Sequence, residues 1–250
     1  AAVRDRAEVH LARGGVGRSD YDTHLIKTNR SWIRDSGPLF LSHATGALRQ
    51  ITVSDWAFNG WAKYQNWQRD ASVGDAMARL TGLPKLEPSR PNSEERLVLE
   101  GGGIDVNGHG IVLVTEEWLL HDVQIRNPGM NRAQYEAVFN YWLGSPITIW
   151  LGEGCDGDDT HGHVDDVARF VSPDTIVLAI EEDTAEENHR RSMDNLRRLE
   201  HAAQRADIGP LNIVKVPYPR RVMMQDDVLP ASYTNFFIGN VASVKVFGNS

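Results

Sequence analysis

Four stretches of this chain repeat one pattern: two apolar runs flank a small turn, and a polar residue stands at the entrance. "GPLFLSHATGALRQITV" begins at Gly37, "GIDVNGHGIVLVT" at Gly103, "VARFVSPDTIVLAI" at Val167 and "SYTNFFIGNVASVKVF" at Ser232. Asn107-Gly108 is a strong hairpin signal, because both residues tolerate the positive φ that a tight turn between twisted strands requires. Ser172-Pro173-Asp174 and Gly239-Asn240 mark the turns of the later copies. The polar residues are Asp35 before the first hairpin, Glu100 before the second, His163 and Asp165 at the third and Asn235 within the fourth. Counted along Asp35, Glu100, His163 and Asn235, the intervals are 65, 63 and 72 residues. Modules of one size, each with a polar group in the same place, suggest copies around an axis with those groups converging centrally. Coincidence among many polar residues is the other reading of the spacing. The period would put a further member near roughly position 300.

Between the hairpins the periodicity is helical. Residues 70–81 open on Asp70 as a candidate cap. Residues 131–143 place Tyr135, Val138, Phe139 and Trp142 on one face. Residues 184–206 begin with Thr184 and Glu187 at capping-box spacing and continue with a stripe of Met193, Leu196, Leu199 and Ala203. Residues 83–96 are the nearest thing to a loop-rich break. The order hairpin, helix, strand, hairpin implies a mixed α/β fold built from copies of one unit, in a single domain over residues 1–250.

Composition narrows the function classes. The formal net charge of -8 repels phosphate backbones, and Lys and Arg are nowhere concentrated with aromatics, which argues against nucleic acid. No apolar run approaches the roughly 20 residues that span a bilayer, so a membrane partner is not expected. The charged opening "AAVRDRAEVHLARGG" lacks a signal-peptide core, and the expected location is cytoplasmic. It also lacks an initiating Met, as a trimmed chain would. Cys155 is the only cysteine, which excludes an intramolecular disulfide. Apolar faces between modules would suit a homodimer.

The stretch "DDTHGHVDD" (158–166) is dense in acids and histidines and admits two chemistries. In the first, "THGHVDD" supplies zinc ligands, as in hydrolases with a T-H-x-H-x-D-H pattern. Asp166 stands where that pattern needs His, and the approach "GEGCDGDD" is glycine-rich and acidic rather than a buried apolar strand. In the second, the cluster holds a cation. A guanidinium is planar, permanently charged and offers its N–H groups as a fork that two carboxylates can grip. Its hydrolysis needs those carboxylates, a nucleophile for the central carbon and a histidine to carry protons. Asp35 and Asp165 could grip, His163 could carry protons with Glu100 orienting it, and Trp32 could lie against the cation. Each has an ordinary alternative: Asp35 as a turn cap, Glu100 as a surface acid at a strand end, Trp32, Trp61 and Trp67 as core. Arg34 fits a salt-bridge partner of the acids better than a substrate ligand, since it would repel a guanidinium. Asp158 and Asp159 read as loop acids, one of which could orient His163.

Six ordered stretches carry a resemblance: "WIRDSGPLF" (32–40), "FNGWAKY" (58–64), "LEGGGIDVNG" (99–108), "RNPGMNRAQYE" (126–136), "DDTHGHVDDVARF" (158–170) and "ASYTNFFIGN" (231–240). Their order resembles the agmatine deiminase family, which is related to the bacterial peptidylarginine deiminases, and the match covers most of residues 25–248. The resemblance implies the pentein fold, a five-bladed α/β propeller of pseudo-symmetric ββαβ modules. This chain would hold about four of them, with the first incomplete and the last absent. It implies that Asp35 and Asp165 bind the guanidinium, that His163 is the general acid/base, that Glu100 is its partner and that Asn235 lines the site. It implies conversion of agmatine to N-carbamoylputrescine and ammonia through a thiouronium intermediate on cysteine, in putrescine and polyamine biosynthesis, with no metal or organic cofactor. A peptidylarginine deiminase would share these core residues behind a more open mouth, and a noncatalytic homologue would bind guanidinium groups without releasing ammonia.

The chain departs from that family at the nucleophile. The family's cysteine lies in a glycine-rich G-G-G-N-x-H-C segment, and this sequence contains none; a fragment lacking both ends would explain it. Cys155, eight residues before His163 in a glycine-rich loop, is the only substitute on offer. The resemblance aligns that loop with a segment without a catalytic role, so a passive thiol is expected.

Overall fold

A computed structural model describes residues 2–45 and 48–239. After an N-terminal helix, α1 (Ala2–Arg13), and the single turn α2 (Ile33–Ser36), the chain forms a first unit: β1 (Leu39–Thr45), β2 (Leu48–Ser54), α3 (Val73–Thr81) and β3 (Lys85–Leu86). The second unit is β4 (Asp105–Val106), β5 (Ile111–Thr115), the short α4 (Glu116–Leu120), α5 (Arg132–Leu143) and β6 (Ile147–Leu151). The third is β7 (Ala168–Ser172), β8 (Thr175–Ile180), α6 (Glu187–Ala202) and β9 (Asn212–Pro217). In each unit the hairpin is antiparallel and the last strand pairs in parallel with the second, giving sheets β1-β2-β3, β4-β5-β6 and β7-β8-β9. A parallel neighbour needs a crossover, and the helix provides it each time.

The expected repeat is therefore present in three copies among the described residues, which close no ring. Residues 232–239 form no strand, and the Asn240 half of the expected fourth hairpin lies outside the described residues, as does the Gly46-Ala47 turn of the first. A hairpin that the pattern did not mark, β10 (Val222–Met224) with β11 (Asp227–Leu229), turns through Gln225 at φ 58° instead.

The middle sheet is the centre of the packing. Ile111 and Leu113 of β5, with Ile149 and Leu151 of β6, join a core with Phe170, Ile176, Leu178, Leu196 and Leu199 of the third unit. The alternate residues Val112, Val114 and Trp150 face a second core with Trp118, Tyr135, Val138 and Phe139. Both faces are buried, which is why "IVLV" reads as a continuous apolar run rather than an alternation.

The helices differ in detail from their sequence patterns. Asn131 caps α5 as a capping box with Gln134, and Tyr135, Val138 and Phe139 are buried while Trp142 is only partly so. Asp70 caps nothing. It is buried in a short 3₁₀ turn and accepts the backbone N–H groups of Asn29 (2.6 Å) and Arg30 (3.0 Å), fastening the segment that leads into α2. Helix α6 starts at Glu187 without the Thr184 box. Its buried stripe is Ser192, Asn195, Leu196, Leu199 and Ala202; Met193 is exposed and Ala203 lies beyond the end. Two polar residues can be buried there because they satisfy loop backbone: Ser192 Oγ accepts Glu181 N–H, and Asn195 Oδ1 accepts Gly152 N–H.

Candidate active site

Three backbone segments, each entering one of the three hairpins, bring the polar residues together. The single turn α2 carries Asp35; Ser36 Oγ donates to Trp32 O at 3.1 Å and holds the turn closed. The Glu100-Gly101-Gly102-Gly103 segment carries Glu100, and Gly102 N–H donates to Asp35 Oδ1 at 3.1 Å. The third segment is the loop before β7. There Asp158 accepts the N–H groups of Thr160 (2.8 Å), Gly162 (3.1 Å) and His163 (3.0 Å), curling the backbone so that His163 faces inward. A 3₁₀ turn over Val164–Asp166 then places Asp165 beside it.

Gly102 lies at the meeting point. A Cβ there would stand 2.6 Å from His163 Nδ1, 2.7 Å from Asp35 Oδ1 and 2.9 Å from Asp165 Oδ2. Any larger residue would occupy the space between those groups. Gly103 is equally constrained, since a Cβ would run into the Trp118 ring at 2.4 Å.

His163 is buried with one carboxylate near each ring nitrogen. Its Nδ1 lies 3.7 Å from Asp35 Oδ1 and its Nε2 lies 3.8 Å from Glu100 Oε2. Both contacts are longer than hydrogen bonds, and among the described residues Nε2 has no hydrogen-bond partner. Glu100 is wholly buried; its Oε2 accepts Trp118 Nε1–H at 2.7 Å and its Oε1 accepts Arg126 Nε–H at 3.1 Å. Asp35 Oδ2 accepts Trp61 Nε1–H at 3.0 Å. Asp165 has the weakest support, with Arg34 Nε 3.9 Å from its Oδ2.

The protonation states follow from these surroundings. Burial works against charge on all four groups. At Glu100 the Arg126 guanidinium and His163 outweigh it and hold the carboxyl down at about 2. At His163 burial is overcome by Asp35, Glu100 and Asp165, which raise its pKa to about 10, so it is an imidazolium at neutral pH. Asp35 and Asp165 go the other way. Burial raises Asp35 despite His163, and raises Asp165 to about 6 with Asp35 adding to the rise.

Other expected residues lie elsewhere. Trp32 is exposed at the start of α2, and the buried indole against Asp35 is that of Trp61. Asn235 is exposed and donates to Asp166 Oδ1 at 3.1 Å, outside the group of four; Asp166 is pushed up to about 7 by burial and by Asp165. Asp35 does not cap its turn, since its carboxylate accepts the Trp61 and Gly102 N–H groups, and Glu100 is buried rather than a surface acid. Asp158 does orient His163, through the backbone, while Asp159 binds Lys63 and Tyr64 of the 58–64 loop.

The zinc reading is not supported. His161 is engaged elsewhere, with its Nε2 3.0 Å from His121 Nδ1. Among the described residues the one grouping with ligand geometry is Asp55, Asp75 and Glu87, where the Lys85 ammonium already sits. Cys155 is buried beside Ala179 and Tyr218, with its thiol pushed up to about 12 by burial and by Asp166, which makes a poor nucleophile.

Sequence reasoning missed Arg126, Trp118 and the orienting role of Trp61. Arg126 and Trp61 fall within stretches that were singled out, "RNPG" and "FNGW", yet nothing in their spacing ties them to a carboxylate. Arg169 was missed as well. It pairs with Asp105 at 2.9 Å and donates to Phe236 O at 2.7 Å, which anchors the segment carrying Asn235.

The profile of the family described as Porphyromonas-type peptidyl-arginine deiminase matches residues 2–250. The agmatine deiminase of Ectopseudomonas mendocina (strain ymp) is 32% identical, over 94% of this chain and 67% of its own length. That of Stutzerimonas stutzeri (strain A1501) is 37% identical, over 78% of this chain and 51% of its own. The chain thus spans between about half and two thirds of the length of these relatives. Among solved structures, the agmatine deiminase of Enterococcus faecalis superposes with a TM-score of 0.76 at 27% identity, over 91% of this chain and 65% of the other. A C. Jejuni agmatine deiminase with substrate bound gives 0.71 at 26% identity, over 88% and 63%. Among the described residues no helix is long and apolar enough to cross a membrane.

Proposed function

We infer, since this chain belongs to the Porphyromonas-type peptidyl-arginine deiminase family, that its buried carboxylates grip a guanidinium and that the whole protein hydrolyses it, with agmatine as the substrate. The observation that carries this reading is the state of Asp35 and Asp165. Both are buried, both are raised above the ordinary aspartate value, and they approach one another around Gly102 with, among the described residues, no guanidinium or ammonium closer than Arg34 at 3.9 Å. Two desolvated acids beside an open glycine backbone are a fork-shaped receptor for a planar cation, whose charge would repay their burial. The relatives named agmatine deiminase favour agmatine among guanidines.

The chemistry follows from the same groups. A cysteine thiolate in the whole protein adds to the guanidinium carbon, and His163, already protonated, gives its proton to the departing nitrogen, which leaves as ammonia. The resulting S-alkylthiouronium is attacked by water, His163 takes one of the water's protons, and the carbon–sulfur bond breaks to release the thiolate and N-carbamoylputrescine, whose second water-derived proton passes to solvent. Cys155 is not this nucleophile. In this reading Glu100 keeps His163 oriented and charged, and Trp32, exposed three residues before Asp35, meets the incoming cation. Asn235, exposed on Asp166, borders the same mouth. The three units would be part of a five-bladed ring, and the product would feed putrescine synthesis.

The test is ammonia release by the whole protein from agmatine and from an arginyl peptide, with and without chelator, beside the Asp165→Asn variant. Turnover of agmatine that resists chelator and collapses in the variant is expected. Preference for the peptide would move the reading to peptidylarginine. Loss with chelator, restored by zinc, would overturn it.

A further inference from the structure

The proton chemistry assigned to His163 depends on Glu100 staying ionised although its side chain is fully buried, and one residue outside the expected set is built to ensure it. Arg126 is buried to the same degree as Glu100, with both side chains at 0% exposure and Arg126 Nε 3.1 Å from Glu100 Oε1. Its two remaining nitrogens are spent on backbone. One donates to Gln124 O at 2.8 Å, and the other donates to Thr160 O, in the loop that turns into His163. The planar fork therefore joins the glutamate to the segment that delivers the histidine, which a flexible ammonium could not do in the same geometry.

We propose that Arg126 is a positioning residue: its guanidinium keeps Glu100 ionised beside His163 and fixes the spacing between them by holding the 160 loop. The inference deepens the deiminase reading and rests on it for its catalytic meaning. The groups facing Glu100 are few. Arg126 comes from the loop before α5, His163 from the loop before β7, Trp118 from α4, Tyr135 from α5 and Asp35 from α2. Of these only Arg126 and His163 bring positive charge, and His163 must give up its proton during turnover. Arg126 is the cation that stays. It accounts for the way Glu100 can remain an anion when the imidazole is neutral, so that the proton returns to His163 rather than stopping on the glutamate.

The test reads Glu100 itself, in the intact protein and without substrate, by NMR of carboxyl-labelled glutamates with Glu100→Gln for assignment. The wild type is expected to keep Glu100 ionised through pH 4. In Arg126→Gln its midpoint should rise by about one to three pH units, the size of a lost adjacent cation. Arg126→Lys keeps the charge, so its midpoint should stay low, and it is the variant that decides the matter if Arg126→Gln does not fold. An unmoved midpoint in Arg126→Gln, or a rise of about one pH unit or more in Arg126→Lys, would overturn the proposal. A wild-type Glu100 titrating in the ordinary glutamate range would do the same. Failure of agmatine turnover in a protein whose Glu100 behaves as expected would sink the deiminase reading alone.

Discussion

The two sides of His163 are built from the same kind of group and finished in different ways. On one side Glu100 is wholly buried with a cation and an indole N–H on its two oxygens, and its pKa sits at about 2. On the other, Asp35 and Asp165 are almost as deeply buried, yet both are raised, Asp165 to about 6. The difference lies in the counter-ion. Glu100 has Arg126 at 3.1 Å, whereas Asp165 shares the His163 imidazolium with Asp35 and Glu100, and its nearest guanidinium among the described residues is Arg34, 3.9 Å away and with 39% of its side chain exposed. A buried carboxylate without a partner opposes folding, and a protein retains it where something else supplies the charge. In the deiminase reading, the finished side serves the histidine and the unfinished side receives the cation.

That contrast can be broken most forcefully on the finished side. Replacing Arg126 by Met should cost about 3–5 kcal/mol of stability, because it leaves Glu100 buried and unpaired. Urea unfolding at pH 7 measures it, and a loss below about 1 kcal/mol would mean that the pair contributes little to the fold.

On the unfinished side the cost should fall on binding instead. Asp165→Asn is expected to weaken agmatine binding by roughly 30-fold or more, the scale of a lost buried charge partner. Calorimetry with agmatine reads this directly, and unchanged affinity would show that the grip lies elsewhere. Gly102→Ala puts a methyl among His163, Asp35 and Asp165, and overpacking of that kind should cost about 1–3 kcal/mol. The same titration, with thermal unfolding beside it, would show whether the space or the backbone is what matters.

The subtlest expectation concerns pH. Asp165 is raised in the folded state, so between its unfolded value near roughly 4 and about 6 the native protein holds the extra proton. In that window its contribution makes stability fall as pH rises, and the contribution is fully developed above about 6. Agmatine affinity should move in the opposite sense, since the cation needs the ionised acid, weakening as pH drops through 6. Asp165→Asn should flatten both trends, and trends that persist unchanged in the variant would place the titration on Asp166 or Asp35.

The convergence itself was legible before any coordinates. Asp35, Glu100 and His163 stand at matched places in repeated hairpins, and repeated units related by similar rotations bring matched places together. The helical stripe of α5 was equally plain in Tyr135, Val138 and Phe139, although its Asn131 cap was not marked. The stripe of α6 was misread because Ser192 and Asn195 are polar, and only their bonds to the loop backbone make them core residues. Asp70 was misread for a related reason: its partners, Asn29 and Arg30, are some 40 residues away in sequence.

What the sequence determined by itself was therefore local or periodic: hairpin turns, amphipathic faces, the repeat and the chemical types it brings to one place. Hydrogen-bond geometry within a turn and the alternation of apolar residues act over a few positions, and they leave their trace in the order of residues. Which carboxylate would be neutralised was decided only by tertiary structure. Arg126 reaches Glu100 across 26 residues, and Trp61 reaches Asp35 across the same number. A charge's state depends on its distance to other charges and on its exclusion from water, and neither quantity is a property of neighbours along the chain.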